Sequence, residues 1–198
     1  RVREQHCRIG SEIAARAGLP PEVQTMILQH HEHADGSGFP LHLKGEQIDA
    51  LARIVALANH YDHLCNPHDD SAALTPHEAL SAMFAQQRSM FDPGLLQIFI
   101  QLLGVYPPGT VVRLSNELTG IVVTTNPGKP LKPEVMIYDA ERPREDAIIL
   151  DLALETEVTV SRAIRPALLL PEVYDYLSLR KRVCYYFDAG EQGAADTK

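Results

Sequence analysis

The chain has 198 residues, 45% of them hydrophobic and 22% charged, with a formal net charge of −8. That is material for one large or two small domains with a real core, and the acidic balance speaks against binding of a nucleic-acid polymer. No apolar run approaches the roughly 18 residues of a membrane span, and no charged-then-apolar amino-terminal segment reads as a signal peptide. The three cysteines, Cys7, Cys65 and Cys184, form neither a disulfide framework nor a Cys-x-x-Cys pair, so a reducing, cytoplasmic setting is expected.

Residues 1–104 read as helical. Ile9, Ile13 and Ala14 have helical spacing, and Gly18 followed by Pro20-Pro21 stops that helix. Gly10 would allow a close neighbour there. Pro21 opens a second helix, with Val23, Met26 and Ile27 on one face, running to about His31. A glycine-rich loop follows, Asp35-Gly36-Ser37-Gly38-Phe39-Pro40. A long third helix is expected over 47–65 with the stripe Leu51, Ile54, Val55, Ala58 and Tyr61, and its apolar run marks it as central. Thr75-Pro76-His77-Glu78 has the form of a capping box and opens a helix to about Ser89. Asp92-Pro93 opens the last helix, which Gly104 closes.

The pattern changes at Val105-Tyr106-Pro107-Pro108-Gly109. Short β-rich runs are expected over 110–114, 120–125, 134–138, 147–152 and 158–164, then a short helix over 172–177. Spacing of about ten residues suggests a small antiparallel sheet or barrel. The fold class is therefore α+β: a helical bundle over 1–104, a β-rich module over 105–190, and a flexible tail over 191–198.

Histidine is unevenly placed. All nine lie at or before His77, so metal or acid–base chemistry belongs in the first half. The densest stretch is His30-His31-Glu32-His33-Ala34-Asp35. Adjacent helical residues point about 100° apart, so His30 and His31 reach two neighbouring ions, or one ion from a helix end; taken alone, the pair also fits a solvated helix end. A second polar group, Asn59 to His63, interrupts the third helix, where polar groups need partners. Tyr61 and Tyr106 read as packing residues and Cys65 as a small buried hydrophobe. Arg180-Lys181-Arg182, before Tyr185-Tyr186-Phe187, reads as a solvated face.

Taken in order, His6-Cys7-Arg8-Ile9-Gly10, His30 through Pro40, Leu43 through Ile48, Arg53 through Asp62 and Phe91-Asp92-Pro93 resemble the HD-GYP family, a branch of the HD-type metal-dependent phosphohydrolases. The resemblance covers about residues 1–104, and the β-rich part looks like an extension found after some HD-GYP domains. It implies a centre of two or three divalent ions, iron or manganese, and hydrolysis of cyclic di-GMP in bacterial second-messenger signalling. Matched by position, His6, His30 and His31 correspond to metal ligands. Glu32, Asp35, Gly36, Gly38, Phe39 and Pro40 correspond to the signature loop, which shapes the site and contacts partners such as GGDEF-type domains. Arg53 and Asp62 fall in the supporting motif, and His68 and Ser71 stand near positions where many members instead have basic residues that hold substrate phosphates.

Departures from the family accompany these matches. Asn59 stands where the family has a ligand aspartate, and a neutral amide binds a hard cation more weakly. Phe39 replaces a tyrosine and His33 an arginine. The namesake His-Asp pair is expected upstream of His6, so these residues alone are expected to show weak or no catalysis. A domain that binds nucleotide or a partner without turnover is the alternative. Another HD-type nucleotide phosphohydrolase is a third, which the Gly-Ser-Gly-Phe-Pro loop disfavours.

Overall fold

Proline and cap chemistry set where the helices begin. The computed structural model describes residues 2–68, 72–126 and 128–178. Its helical part contains α1 (Val2–Arg16), α2 (Pro21–Gln29), α3 (Ala50–Cys65), α4 (Pro76–Ala85) and α5 (Pro93–Leu103). Proline opens α2, α4 and α5, where its missing N–H would have had no helical partner. Asp49 caps α3 by accepting from Leu51 and Ala52 N–H. The Thr75–Glu78 capping box forms as expected, with Glu78 Oε2 accepting from Thr75 N–H at 3.0 Å. Asp92 caps α5 by accepting from Gly94 and Leu95 N–H, and Gly104, at φ 71°, ends it. The fourth helix is shorter than expected: it stops at Ala85, and Arg88–Met90 form a separate 3-10 turn.

Two apolar faces differ from expectation. On α3 the buried residues are Ala52, Ala56, Leu57, Tyr61 and Cys65, whereas Leu51 and Ile54 are 51% and 49% exposed. The run from Leu51 to Ala58 is apolar around most of the helix, so its period does not select a face. On α1, Cys7 and Ala14 are buried while Ile9 and Ile13 are about half exposed. α2 packs against the side that Gly10 opens: a Cβ at Gly10 would stand 3.0 Å from the Ile27 side chain, and Ser11 Oγ donates to Gln24 O at 3.0 Å. The helical core gathers Leu57, Tyr61 and Cys65 of α3, Ala79, Leu80 and Met83 of α4, Phe91, and Leu96 and Leu103 of α5.

The β-rich part comprises β1 (Val111–Leu114), β2 (Thr119–Thr124), β3 (Glu134–Ile137), β4 (Ile149–Asp151) and β5 (Val160–Ile164). All pairs are antiparallel in the order β4-β3-β2-β1-β5, so β5 returns to the open edge of β1. Among the described residues, β4 and β5 are the two edges of this hydrogen-bonded order. Alternation gives the sheet two apolar faces. Val112, Leu114, Val122, Val135, Ile137 and Leu152 cluster on one. Val111, Ile121, Met136 and Ile164 lie on the other, under Val173 of α6 (Pro171–Tyr176) and Leu177.

Among the described residues, no helix is long and apolar enough to cross a membrane. Ser71, Cys184, the basic and aromatic runs over 180–187, the end of the β-rich part beyond 178 and the tail over 191–198 lie outside the described residues.

Candidate metal centre

His6 projects from α1, and His30 and His31 directly follow α2. The packing of these two helices brings the three rings together. The His6 ring centroid lies 5.2 Å from that of His30 and 5.0 Å from that of His31, and His30 and His31 are 4.1 Å apart. His6 Nε2 and His30 Nε2 face each other at 3.3 Å. His30 Nδ1–H donates to the Ile27 carbonyl at 2.7 Å. A carbonyl only accepts, so that bond fixes the proton on Nδ1 and leaves Nε2 with its lone pair toward His6. An anchored outer nitrogen is how proteins orient a metal-ligating histidine.

Cys7 completes the group. Its Sγ lies 3.5 Å from His6 Nε2, and the ligand atoms of His6, Cys7, His30 and His31 all lie within 4.8 Å of one another. The thiol is fully buried; burial raises it above its ordinary value, and the nearby Glu32 charge adds to the rise. Cys7 carried no motif signal beyond its place directly after His6. The donors fit a divalent cation: nitrogen and sulfur atoms converge from two helices, and one ring already has its proton directed away.

Asn59, half-buried on α3, reaches the same cluster. Its side-chain amide nitrogen lies 3.3 Å from His31 Nδ1. Turning that amide would instead place Oδ1 against Nδ1–H and leave Nε2 as the unprotonated nitrogen of His31. An amide can do either, whereas the ionised aspartate of the family pattern only accepts. All four residues expected as ligands are thus neighbours.

The signature loop is built around a buried acid. Glu32 is 2% exposed, and its carboxylate accepts from Leu41 N–H at 2.6 Å and Leu43 N–H at 2.9 Å. The loop therefore folds back over its own start. Phe39 N–H donates to His31 O at 3.0 Å, which draws Gly38 onto the backbone of His31, Glu32 and His33; a Cβ there would overlap all three. Gly36 takes a φ of 82°, open to glycine at low cost. The Phe39–Pro40 peptide is cis. The Phe39 ring lies against His31, with centroids 4.7 Å apart, so the aromatic position keeps a wall for the histidines without a hydroxyl. Asp35 turns away from the cluster. It accepts from Ser37 N–H and from Ser89 Oγ, and its bonds with Ser37, with help from Ser89, hold its carboxyl below the usual range.

A second histidine pair supports the loop from behind. His33 and His60 lie 6.0 Å apart with Phe91 beside both. His33 Nδ1 meets Ser37 Oγ, and His60 Nε2 donates to Gln87 Oε1 at 2.8 Å. Burial lowers both imidazoles, which favours the neutral rings. Gln87 and Ser89 are partners that no sequence motif marked.

Other expected residues lie away from the cluster. Arg53 Nη1 pairs with Asp92 Oδ2 at 3.0 Å, which ties α3 to the cap of α5. Asp62 is exposed and accepts from Asn66 Nδ2 at the end of α3. His68 is exposed past that end.

Known proteins and families match two stretches of the chain. A family model described as an HD domain matches residues 2–95, and one described as a KOW domain associated with HD domain matches residues 111–170. A protein of Pseudomonas aeruginosa named cyclic di-GMP phosphodiesterase is 30% identical over 179 residues, covering 85% of this chain and 42% of that protein. A cyclic di-GMP phosphodiesterase response regulator of Xanthomonas campestris is 40% identical over 94 residues, 46% of this chain and 25% of its own length. A Vibrio cholerae protein named 3'3'-cGAMP-specific phosphodiesterase 2 is 28% identical over 102 residues, 50% of this chain and 20% of its own length. The chain thus spans less than half the length of each of these relatives. The HD-domain match over residues 2–95, these relatives and the ordered His6, His30-His31-Glu32 and Asp35–Pro40 motifs gathered at one site together support placing the chain in the HD-GYP family of metal-dependent phosphohydrolases.

Proposed function

We propose that this chain supplies part of the metal centre of a cytoplasmic phosphodiesterase that hydrolyses cyclic di-GMP in bacterial signalling. The observation that carries the reading is the pair of facing imidazole nitrogens, His6 Nε2 and His30 Nε2 at 3.3 Å, with the outer nitrogen of His30 held by Ile27 O. His31 and Asn59 stand beside them. In this reading residues 1–104 form the HD-GYP part and residues 105–190 a supporting β-rich module. The centre takes two or three ions, iron or manganese, and the signature loop also meets GGDEF-type partners.

Bound divalent ions would supply Lewis-acid polarisation of the phosphodiester and a more acidic water. The protein's own groups hold and orient. His6, His30 and His31 present nitrogen donors, and the Ile27 carbonyl holds the His30 proton on Nδ1. Glu32 fixes the loop that seats Phe39 on His31, and the Phe39 ring limits water at that face. Asp35 binds Ser37 and Ser89, so it shapes the loop without acting as a base.

Metal content and product formation from cyclic di-GMP, measured on the full-length protein with 3'3'-cGAMP offered in parallel, test this. His30→Ala is expected to lose both metal and turnover; undiminished turnover in that variant would remove the histidines from the centre. A second reading, nucleotide binding without turnover, is favoured by Asn59 alone. It predicts an inactive wild type that gains turnover on Asn59→Asp.

A further inference from the structure

We propose that the outer edge of β5 is a docking site for an extended, acidic segment of a partner protein, which adds to the sheet as a further strand. The site lies in the β-rich part and is independent of the metal-centre reading. Backbone alternation decides which groups are open to pairing. Val122 N–H donates to Thr110 O, and Leu114 N–H donates to Leu118 O. Thr110, Val112 and Leu114 therefore direct their backbone toward β2, and Val111 and Arg113 direct theirs toward β5, opposite Ile164 and Arg162. Ala163 lies between those two bonded positions, so its N–H and C=O point away from β1. Ser161 has no residue opposite it on β1, because the register shifts there. Among the described residues β5 ends the strand order.

That edge borders a groove. A cavity of about 330 Å³ is lined by the consecutive residues 161–165 on one side and by His77, Glu78 and Tyr106 on the other. Neighbouring strand residues point to opposite faces, so an unbroken run of them in one wall means that the strand's edge forms it. The stacked His77 and Tyr106 rings give the far wall an apolar surface for a side chain. Charge selects the occupant. Arg162 and Arg165 share the groove with the Glu78 carboxylate, to which Thr75 N–H and Arg165 Nε already donate. Arg162 also stands opposite Arg113, an unfavourable like-charge pair. Arg113 is matched by Glu117, whereas among the described residues Arg162 has no ion pair. A carboxylate on an added strand would meet that charge. An arginine and a bulge on an edge strand also keep apolar strands from pairing there. A second copy fits poorly: two β5 edges paired antiparallel about Ala163 would make their Arg162 side chains diagonal neighbours on one face.

The test offers a display library of random short peptides to the full-length protein. Selected peptides are expected to alternate β-branched residues with Asp or Glu. A synthetic peptide from that pool should slow amide exchange at Ala163 at least about tenfold. Methylating the peptide's own backbone nitrogens should abolish binding, because main-chain bonds carry such docking. Arg162→Glu should weaken binding at least about tenfold, the size of one lost charge-assisted bond. Ala163→Pro, which removes the outward N–H of an edge strand, should weaken it as well; the methylated peptide reads the same pairing on unaltered protein. An empty selection, selected peptides without acidic residues, or binding that survives both methylation and Arg162→Glu would overturn the proposal. So would slow exchange at Ala163 in the free protein. Slowing that rises with protein concentration would put a second copy on the edge, and slowing that does not would put this chain's own residues there.

Discussion

At the residue scale, the early clustering of histidine resolves into distinct jobs. His6, His30 and His31 form the candidate centre, His33 and His60 brace the loop beside it, and His77 lies at the junction with the β-rich part, donating to Val105 O. The loop depends most on Glu32. Its two carboxylate oxygens each serve one backbone N–H inside the protein. Glu32→Gln keeps the size but turns one acceptor into a donor that faces Leu41 or Leu43 N–H. A buried amide left without its acceptor costs about 1–3 kcal/mol. Denaturant unfolding is expected to show that loss with helix content unchanged, and metal retention should weaken with it. A Gln variant as stable as wild type would mean that the carboxylate does not hold the loop.

At the element scale, Asp92 has two roles: it caps α5 and pairs with Arg53 of α3. Asp92→Ala should cost about 1–2 kcal/mol. Asp92→Asn, which keeps a capping oxygen, should cost under about 1 kcal/mol. Bonds from Leu95 and Gly94 N–H, then Arg53, hold the Asp92 carboxyl below the usual carboxylate range. Its contribution is therefore complete above the unfolded value and fades as pH falls through the lower folded value. The gap between wild type and Asp92→Ala should close in acid, which unfolding midpoints measured across pH would read. Capping signals of this kind made the helix starts legible in the sequence, because Thr75, Asp92 and the prolines act on their own neighbours. The buried face of α3 was not legible. Leu51, Ile54, Leu57 and Tyr61 are all apolar, and only packing against α4 and α5 selects Leu57 and Tyr61. The site divides in the same way. His6, His30 and His31 were readable as motif residues, whereas Cys7, Gln87 and Ser89 gain their meaning only from contacts across the fold.

At the scale of the whole molecule, hydrogen bonds, a ring stack and an ion pair join the helical and β-rich parts among the described residues. Thr125 Oγ1 donates to Leu102 O, Val105 N–H to Pro130 O, and His77 stacks on Tyr106. The charged contact is Arg165 Nε to Glu78 Oε1 at 2.7 Å, from just past β5 to the first turn of α4. Its Arg165 side chain is 65% exposed, so solvent screening keeps the pair itself under about 1 kcal/mol. Glu78 has a further role, because its other oxygen completes the Thr75 capping box. Partial burial pulls its carboxyl upward, but the bonds from Thr75 and Arg165 outweigh this and leave it below the usual range. The two partners should therefore be unequal on mutation. Arg165→Ala removes the bridge alone and should cost under about 1 kcal/mol, falling further in high salt. Glu78→Ala removes bridge and box together and should cost about 1–2 kcal/mol, mostly independent of salt. A double-mutant cycle by chemical unfolding at low and high salt separates the terms. Equal single costs would mean that the box contributes nothing. A large, salt-insensitive coupling would mean that the two parts are joined more firmly at this contact than its exposure allows.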